Sequence, residues 1–119
     1  MLRDANIKTL SAVYLVCGYT DMRYGIDSLA TIVQHKYKLD VFAPRTLFLF
    51  CGKRTNRIKG LLWEGDGFLL LYKRLEKNHF AWPKNRNDVL NLSPQQYEWL
   101  MIGFPVEPVI QDVTPLHSA

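Results

Sequence analysis

The chain has 119 residues, which fits a single domain and leaves little room for a second. Its 48% hydrophobic content predicts a packed core and argues against a disordered protein, while the net charge of +4 is modest. No apolar run reaches the length of a membrane span or a signal-peptide core, so we expect a cytoplasmic protein that does not enter a membrane.

The first two predicted elements are a strand and a helix. The β-branched and aromatic run at residues 13–17 predicts a buried strand. Thr20 and Asp21 then form a good N-cap pair for a helix. Apolar residues follow at helical spacing: Met22, Ile26, Leu29, Ala30, Val33 and Tyr37. Because Gly25 weakens the first turn, we expect regular helix only from about Ile26.

A series of strands occupies the middle of the chain. Three are predicted, over residues 46–51, 57–64 and 68–76. The first two are joined by a polar, basic turn at residues 52–56. Gly65, Asp66 and Gly67 supply positive-φ positions for the tight turn that joins the second pair. A short fifth strand is predicted at the sheet edge over residues 80–82.

The last predicted element is a short helix. Residues 93–96 read as a capping box with proline at its first helical position, and Gly103 and Pro105 end the helix. We therefore expect one domain over residues 1–119. Its ordered core should span about residues 12–104, and residues 105–119 should form an extended or disordered tail.

The order of elements is β-α-β-β-β-(β)-α, which predicts an α+β fold. We expect the loops to be too short for crossover helices, and therefore a four- to five-stranded, mostly antiparallel meander. Both helices are expected to cover one face of this sheet.

Positive charge is concentrated in the predicted strands and turns. Between residues 53 and 86 there are nine basic residues and three acidic ones, which indicates an anionic partner. Strand alternation places Arg57, Lys59 and Trp63 on one face, just beyond the turn that carries Lys53 and Arg54. These cations could hold a phosphate backbone. The competing interpretation is ordinary solvation of strand ends and loops.

The predicted nucleic-acid-binding residues are Lys53, Arg54, Arg57, Lys59, Lys73, Arg74 and Arg23. Trp63 and Tyr72 could stack on bases if they reach the same surface, and otherwise belong to the core. For Arg23 the alternative to a partner contact is an ordinary surface ion pair.

No catalytic residues are predicted. Asp21, Asp66 and Glu98 are spaced loosely like the acidic residues of a metal-dependent nuclease. However, Asp66 lies between two turn glycines, Asp21 reads as a helix cap, and Glu98 lies on a short amphipathic helix. The chain therefore reads as a non-enzyme, and a nuclease is the least favoured alternative.

Cysteine and histidine usage predicts neither a metal site nor a cofactor. Cys17 and Cys51 stand in apolar runs, which is typical of buried free thiols in a reducing compartment. The three histidines are far apart in the sequence, and there is no Cys-x-x-Cys motif.

Several strings of residues together resemble one known family. They include Thr20-Asp-Met-Arg23 with Gly25-Ile-Asp27, Leu47-Phe-Leu-Phe50 followed by Arg54 and Arg57-Ile-Lys59, Trp63-Glu-Gly-Asp-Gly-Phe68, Tyr72-Lys-Arg-Leu-Glu76 and Phe80-Ala-Trp-Pro83. In this order they resemble the small accessory transposition protein (TnpB type) of the insertion-sequence-66 family, the product of its second open reading frame. Two positions depart from the family pattern: Val41 replaces a usual proline, and Asn78-His79 replaces a turn that contains glycine.

The resemblance implies a bacterial protein that supports transposition together with other proteins of the same element. It supplies no catalytic residues to carry over. The first hypothesis is a non-catalytic accessory protein that binds DNA, such as the insertion-sequence ends, or the transposase–DNA complex through the basic hairpin. The alternative is an adaptor that binds the transposase without touching DNA.

Overall fold

The computed structural model describes residues 9–104. Its strands are β1 (Ala12–Val16), β2 (Thr46–Cys51), β3 (Arg57–Trp63), β4 (Phe68–Arg74) and β5 (Val89–Leu92). Its helices are α1 (Ile26–Thr31), which continues as a π-helical segment over Ile32–Lys36, and α2 (Pro94–Met101). The predicted tail at residues 105–119 lies outside the described residues.

The strands form one sheet in the order β4-β3-β2-β1-β5. Strands β1 and β2 are parallel, and the other three neighbouring pairs are antiparallel. The predicted α+β class and the mostly antiparallel sheet are therefore confirmed. The expectation that no connection was long enough for a crossover was wrong for β1 and β2. Residues 17–45 contain α1 and are ample to join two parallel strands.

The fifth strand lies elsewhere than predicted. Residues 80–82 form no strand, and β5 at Val89–Leu92 pairs antiparallel with β1. Phe80 and Trp82 are buried, and the Trp82 indole Nε1 donates to the Val16 carbonyl at 2.9 Å. Aromatic residues at 80 and 82 thus fill the core from a loop. The same alternating pattern occurs in strands, so the sequence pattern alone does not distinguish the two.

The two helices cover opposite faces of the sheet, so the expectation of a single covered face was wrong. Leu29 of α1 packs in one cluster with Phe48 and Phe50 of β2. Leu100 of α2 packs in a second cluster with Leu47, on the other face of β2. Because both faces are covered, all six residues of β2 are buried.

The helix start differs from the predicted N-cap. Gly25 precedes α1 and no side chain caps the helix, so regular helix begins at Ile26, as expected from the weakening by Gly25. Asp21 instead accepts a hydrogen bond from the Arg23 backbone N–H at 2.9 Å. The stripe from Ile26 to Tyr37 does face the core, with Leu29 and Val33 fully buried.

Local signals elsewhere were read correctly, except that the β3–β4 turn has fewer positive-φ positions than predicted. The Ser93 hydroxyl accepts from the Gln96 backbone N–H at 3.1 Å, and the Gln96 side chain accepts from the Ser93 N–H at 2.8 Å, which is the predicted capping box. In the β3–β4 turn only Gly65 has a positive φ, of 95°. Both cysteines are buried and free, and burial raises the pKa of Cys51 to about 12.

Candidate nucleic-acid interface

The predicted basic hairpin lies at the end of the sheet that is formed by the carboxyl ends of β1 and β2. Because these strands are parallel, the loop after β1 and the turn after β2 meet at this end. The Thr20 N–H donates to the Cys51 carbonyl at 2.8 Å and joins the loop to the strand. Between them lies an open cleft of about 450 Å³. Its lining is Thr20, Asp21, Met22, Gly52, Lys53, Arg54, Asn56 and Arg57.

The β2–β3 turn is held in a defined shape. The Thr55 N–H donates to the Gly52 carbonyl at 2.9 Å, and Thr55 has a φ of 58°, an uncommon conformation for a β-branched residue. The Phe80 N–H donates to the Thr55 carbonyl at 2.7 Å. His79 Nδ1 lies 2.7 Å from the Arg54 carbonyl. A positive φ at a residue such as Thr55 is maintained where surrounding contacts enforce it, and it often occurs at functional sites.

Side chains at this end of the sheet form a mostly basic surface that we call the tip surface. It consists of Lys53, Arg54, Arg57, Lys59, Tyr72 and Arg74. Lys53 and Arg54 are exposed in the turn. Arg57 lies directly opposite Arg74 on β4, and like charges in that position destabilise a sheet. One of the two has a partner, since Arg74 Nε donates to Glu76 at 2.8 Å.

Two buried polar atoms lie in this region without a hydrogen-bond partner among residues 9–104. They are the Nε of Arg57 and the Oδ1 of Asn56. Both residues line the cleft. Buried polar atoms are nearly always hydrogen-bonded, so these two are unusual among the groups of the residues that line the cleft. The guanidinium of Arg57 suits a phosphate oxygen.

Lys59 and Tyr72 form the part of the tip surface nearest to the sheet. Lys59 Nζ donates to the Tyr24 carbonyl at 2.7 Å and lies 6.0 Å from the centre of the Tyr72 ring. Lys59 therefore helps to fix the loop before α1. Tyr72 is 45% exposed, so part of its side chain is accessible.

Arg23 lies beside the cleft in an ion pair. Its Nη2 is 2.7 Å from Asp21 Oδ2 and its Nε donates to Oδ1 at 3.0 Å, although the Arg23 side chain is 90% exposed. Hydrogen bonds from the Arg23 side chain and backbone lower the pKa of Asp21 to about 2. The carboxylate thus balances the charge of Arg23, which agrees with the surface-pair interpretation.

Two other predicted residues lie away from the tip surface. Trp63 is on the same face of β3 as Lys59, but four residues further along, or roughly 13 Å. There it packs against Phe42 and Phe68, with ring centres 5.0 and 4.9 Å apart. Lys73 lies opposite Ile58 and so points to the other face of the sheet, the one that α2 covers.

Sequence reasoning did not predict that the loop after β1 lines one side of the cleft, or that His79 contacts the β2–β3 turn. Met22 packs so closely on the turn that a Cβ at Gly52 would lie 2.6 Å from its Cγ. Recognition of β1-α1-β2 as a parallel crossover unit would have brought residues 20–22 to the turn. No local signal connects His79 to Arg54, 25 positions apart.

The acidic residues do not gather at one place. Asp21 lies at the cleft, whereas Asp66 lies in the β3–β4 turn at the far end of β3. Within residues 9–104 no three His, Cys, Asp or Glu side chains are grouped to hold a metal ion. Within the same residues, neither helix has the length and apolar character that crossing a bilayer requires.

Comparison with known proteins gives a consistent family assignment. Residues 11–111 match the family model described as "IS66 Orf2 like protein". Two uncharacterised proteins of Sinorhizobium fredii are similar. The first, y4hO, is 36% identical over 91 residues, or 76% of this chain and 78% of that protein. The second, y4jC, is 30% identical over 83 residues, or 70% of each chain. No solved structure gives a significant match.

Proposed function

The chain belongs to the IS66 Orf2-like family of accessory transposition proteins, and we propose that it acts without catalysis by binding duplex DNA through the tip surface. The family assignment places its role in the transposition of an insertion sequence. DNA is the one partner that every transposition complex must hold.

One observation carries the proposal. Cations from the β2–β3 turn, the start of β3 and the end of β4 lie together at the carboxyl ends of the parallel strands β1 and β2. Arg57 and Arg74 stand directly opposite each other there, a destabilising pair of like charges in which Glu76 balances the Arg74 member. Phosphate groups would offset this repulsion, and the planar guanidinium of Arg57 suits contact with phosphate oxygens.

The shape of the tip surface favours contacts with the phosphate backbone over base reading. The turn is short and fixed by backbone hydrogen bonds, and it carries no helix or long ribbon that could fill a major groove. Tyr72 offers one exposed ring that could stack on an unpaired base. We therefore expect strong dependence of binding on salt and only modest dependence on sequence.

The direct test measures binding of the purified chain to fluorescently labelled duplexes by anisotropy. Insertion-sequence ends and a random duplex of the same length are compared at low and at physiological salt. Binding to both duplexes that weakens steeply with salt supports the proposal. Absence of binding at low salt would contradict it. Incubation of the same duplexes with Mg²⁺ or Mn²⁺ should leave them intact, and metal-dependent cleavage would contradict the non-catalytic role.

A second candidate function is that of an adaptor for the larger transposition proteins of the same element. The observation that favours it is an exposed apolar group at the end of α2, consisting of Trp99, Ile102 and Phe104. Co-purification with the transposase in high salt after nuclease treatment, lost in Trp99→Ala, Ile102→Ala, would support this role. Co-purification that depends on DNA would instead assign the association to the tip surface.

A further inference from the structure

The two edges of the sheet are built very differently. Strand β5 forms one edge with four residues, and β4 forms the other with seven. The β3–β4 register runs without interruption from Trp63–Phe68 to Arg57–Arg74, so β4 contains no bulge. It also contains no proline, and its only charged residues are the last two, Lys73 and Arg74. Short length, bulges, prolines and charges are the usual means by which proteins block an exposed edge.

The hydrogen bonds at the two ends of the β3–β4 ladder show which groups of β4 face outward. The Leu75 N–H donates to the Asn56 carbonyl at 2.7 Å, and the Glu64 N–H donates to the Gly67 carbonyl at 2.9 Å. In an antiparallel ladder, residues that bond across the pair alternate with residues that do not. By this alternation Leu69, Leu71 and Lys73 bond to β3.

The other four residues of β4 therefore direct their backbone N–H and C=O groups to the open side. They are Phe68, Leu70, Tyr72 and Arg74. Within residues 9–104 no backbone partner covers these groups. The same reasoning applied to β5 leaves two outward residues, since Cys17 N–H donates to Asp88 and continues the ladder with β1. Strand β4 is thus the edge able to accept another strand.

We propose that β4 pairs antiparallel with β4 of a second copy of this chain, so that the two sheets join across a two-fold axis at Leu71. In this register Phe68 lies opposite Arg74 of the second copy, and Leu70 lies opposite Tyr72. All four outward residues then form hydrogen-bonded pairs, so every outward N–H and C=O of the strand is satisfied. No neighbouring register pairs the full length of both strands.

The charge distribution of β4 favours this partner and this direction. The first five residues are uncharged and the last two are basic. Antiparallel pairing sets each basic end against the apolar start of the other strand, with Lys73 opposite Leu69 and Arg74 opposite the Phe68 ring. Parallel pairing would bring the two basic ends together. The pairing also covers Leu69, which is 36% exposed in a single chain.

The test compares two substitutions at one exposed position. Leu69→Glu would place a carboxylate opposite Lys73 of the second copy, whereas Leu69→Lys would place a second cation there, and each contact occurs twice in the dimer. We expect Leu69→Glu to dimerise about tenfold more tightly than Leu69→Lys, with the wild-type chain between them. Sedimentation equilibrium of the full chain, with a monomer mass of 13.8 kDa, measures the three dissociation constants.

Matched controls make the same charge changes on the other edge. Asn91→Glu and Asn91→Lys on β5, where Asn91 is exposed, should leave dimerisation unchanged. Tyr72→Pro removes one outward N–H and no bond to β3, so it should weaken the dimer while circular dichroism shows a folded chain. If that variant does not fold, the Leu69 pair still decides the question.

Two results would overturn the proposal. One is a wild-type chain that stays monomeric up to the highest soluble concentration. The other is equal dimerisation by Leu69→Glu and Leu69→Lys, which would place any association elsewhere. If β4 instead pairs with a strand of another protein, the purified chain alone would stay monomeric, which is the first of these results. Because sedimentation is measured without DNA, the outcome is independent of the function proposed for the tip surface.

Discussion

The two ends of β3 carry side chains on the same face of the sheet but lie in different surroundings. At the first end, Arg57 and Lys59 lie beside the β2–β3 turn, among cations and an open cleft. At the other end, Trp63 packs at right angles to Phe42 and against Phe68. The comparison shows that sharing a face of a strand does not mean sharing a site. The neighbouring loops decide which end is available to a ligand.

Charge reversal at the tip should have the largest effect. Lys53→Glu, Arg54→Glu replaces two exposed cations of the turn with anions, and we expect affinity for duplex DNA to fall by at least about 60-fold at 0.1 M salt, from about eightfold per phosphate contact. The matched control is Lys38→Glu, Arg45→Glu, which makes the same charge change at exposed positions before β2. Equal losses in both variants, measured by anisotropy, would show that only net charge matters.

A substitution at the other end of β3 should separate stability from binding. Trp63→Ala removes two aromatic contacts, and we expect the free energy of unfolding to fall by about 2 kcal/mol with DNA affinity unchanged. Tyr72→Ala should leave stability nearly unchanged and weaken binding to single-stranded DNA, because its ring is 45% exposed beside Lys59. Urea unfolding and anisotropy measure the two quantities. Weaker DNA binding by folded Trp63→Ala would contradict the division between the two ends.

The contact between the turn and the β1–α1 loop can be tested at Gly52. An added Cβ would lie 2.6 Å from Met22 Cγ, so Gly52→Ala should destabilise the fold by about 1–3 kcal/mol. If this close approach is the cause, Met22→Ala should restore part of the loss in the double variant. A double-mutant cycle by urea unfolding measures the coupling. Strict additivity would mean that the loop and the turn are not packed as described.

The smallest expected effect concerns the ion pair beside the cleft. Arg23→Gln should raise the pKa of Asp21 from about 2 toward its ordinary value of 3.8, because the side-chain hydrogen bond from Arg23 is the largest cause of the lowering. A lowered pKa in the folded state stabilises the fold above pH 4, and this contribution disappears as the pH falls toward 2. The variant should lose that part of the pH dependence. Titration of the Asp21 carboxyl by NMR checks the shift, and an unchanged pKa would contradict the pairing.

Local sequence signals predicted most of the elements of the fold. The capping box of α2 and the apolar runs of β2 and β3 are decided by neighbours in sequence, and these elements were placed within a residue or two of their observed bounds. The direction of β1 relative to β2 and the identity of β5 depend on pairing between distant segments. A single run such as residues 80–82 carries no information about its partner.

The candidate site was also predicted only in part, because some of its contacts are local in sequence and others join distant segments. Strand alternation correctly placed Arg57 and Lys59 together, and the antiparallel register with β4 adds Tyr72 and Arg74. The same alternation, extended through that register, sends Lys73 to the opposite face. The loop residues that complete the cleft and the support from His79 arise only from the tertiary fold.

The salt dependence of DNA binding tests the central claim most directly. Neutralisation of the turn in Lys53→Gln, Arg54→Gln should reduce the slope of log affinity against log salt by about 1.8, from about 0.9 per phosphate contact. Lys38→Gln, Arg45→Gln, with the same change in net charge, should leave the slope at its wild-type value. An unchanged slope in the turn variant, with DNA still bound, would contradict the claim that the tip surface holds the phosphate backbone.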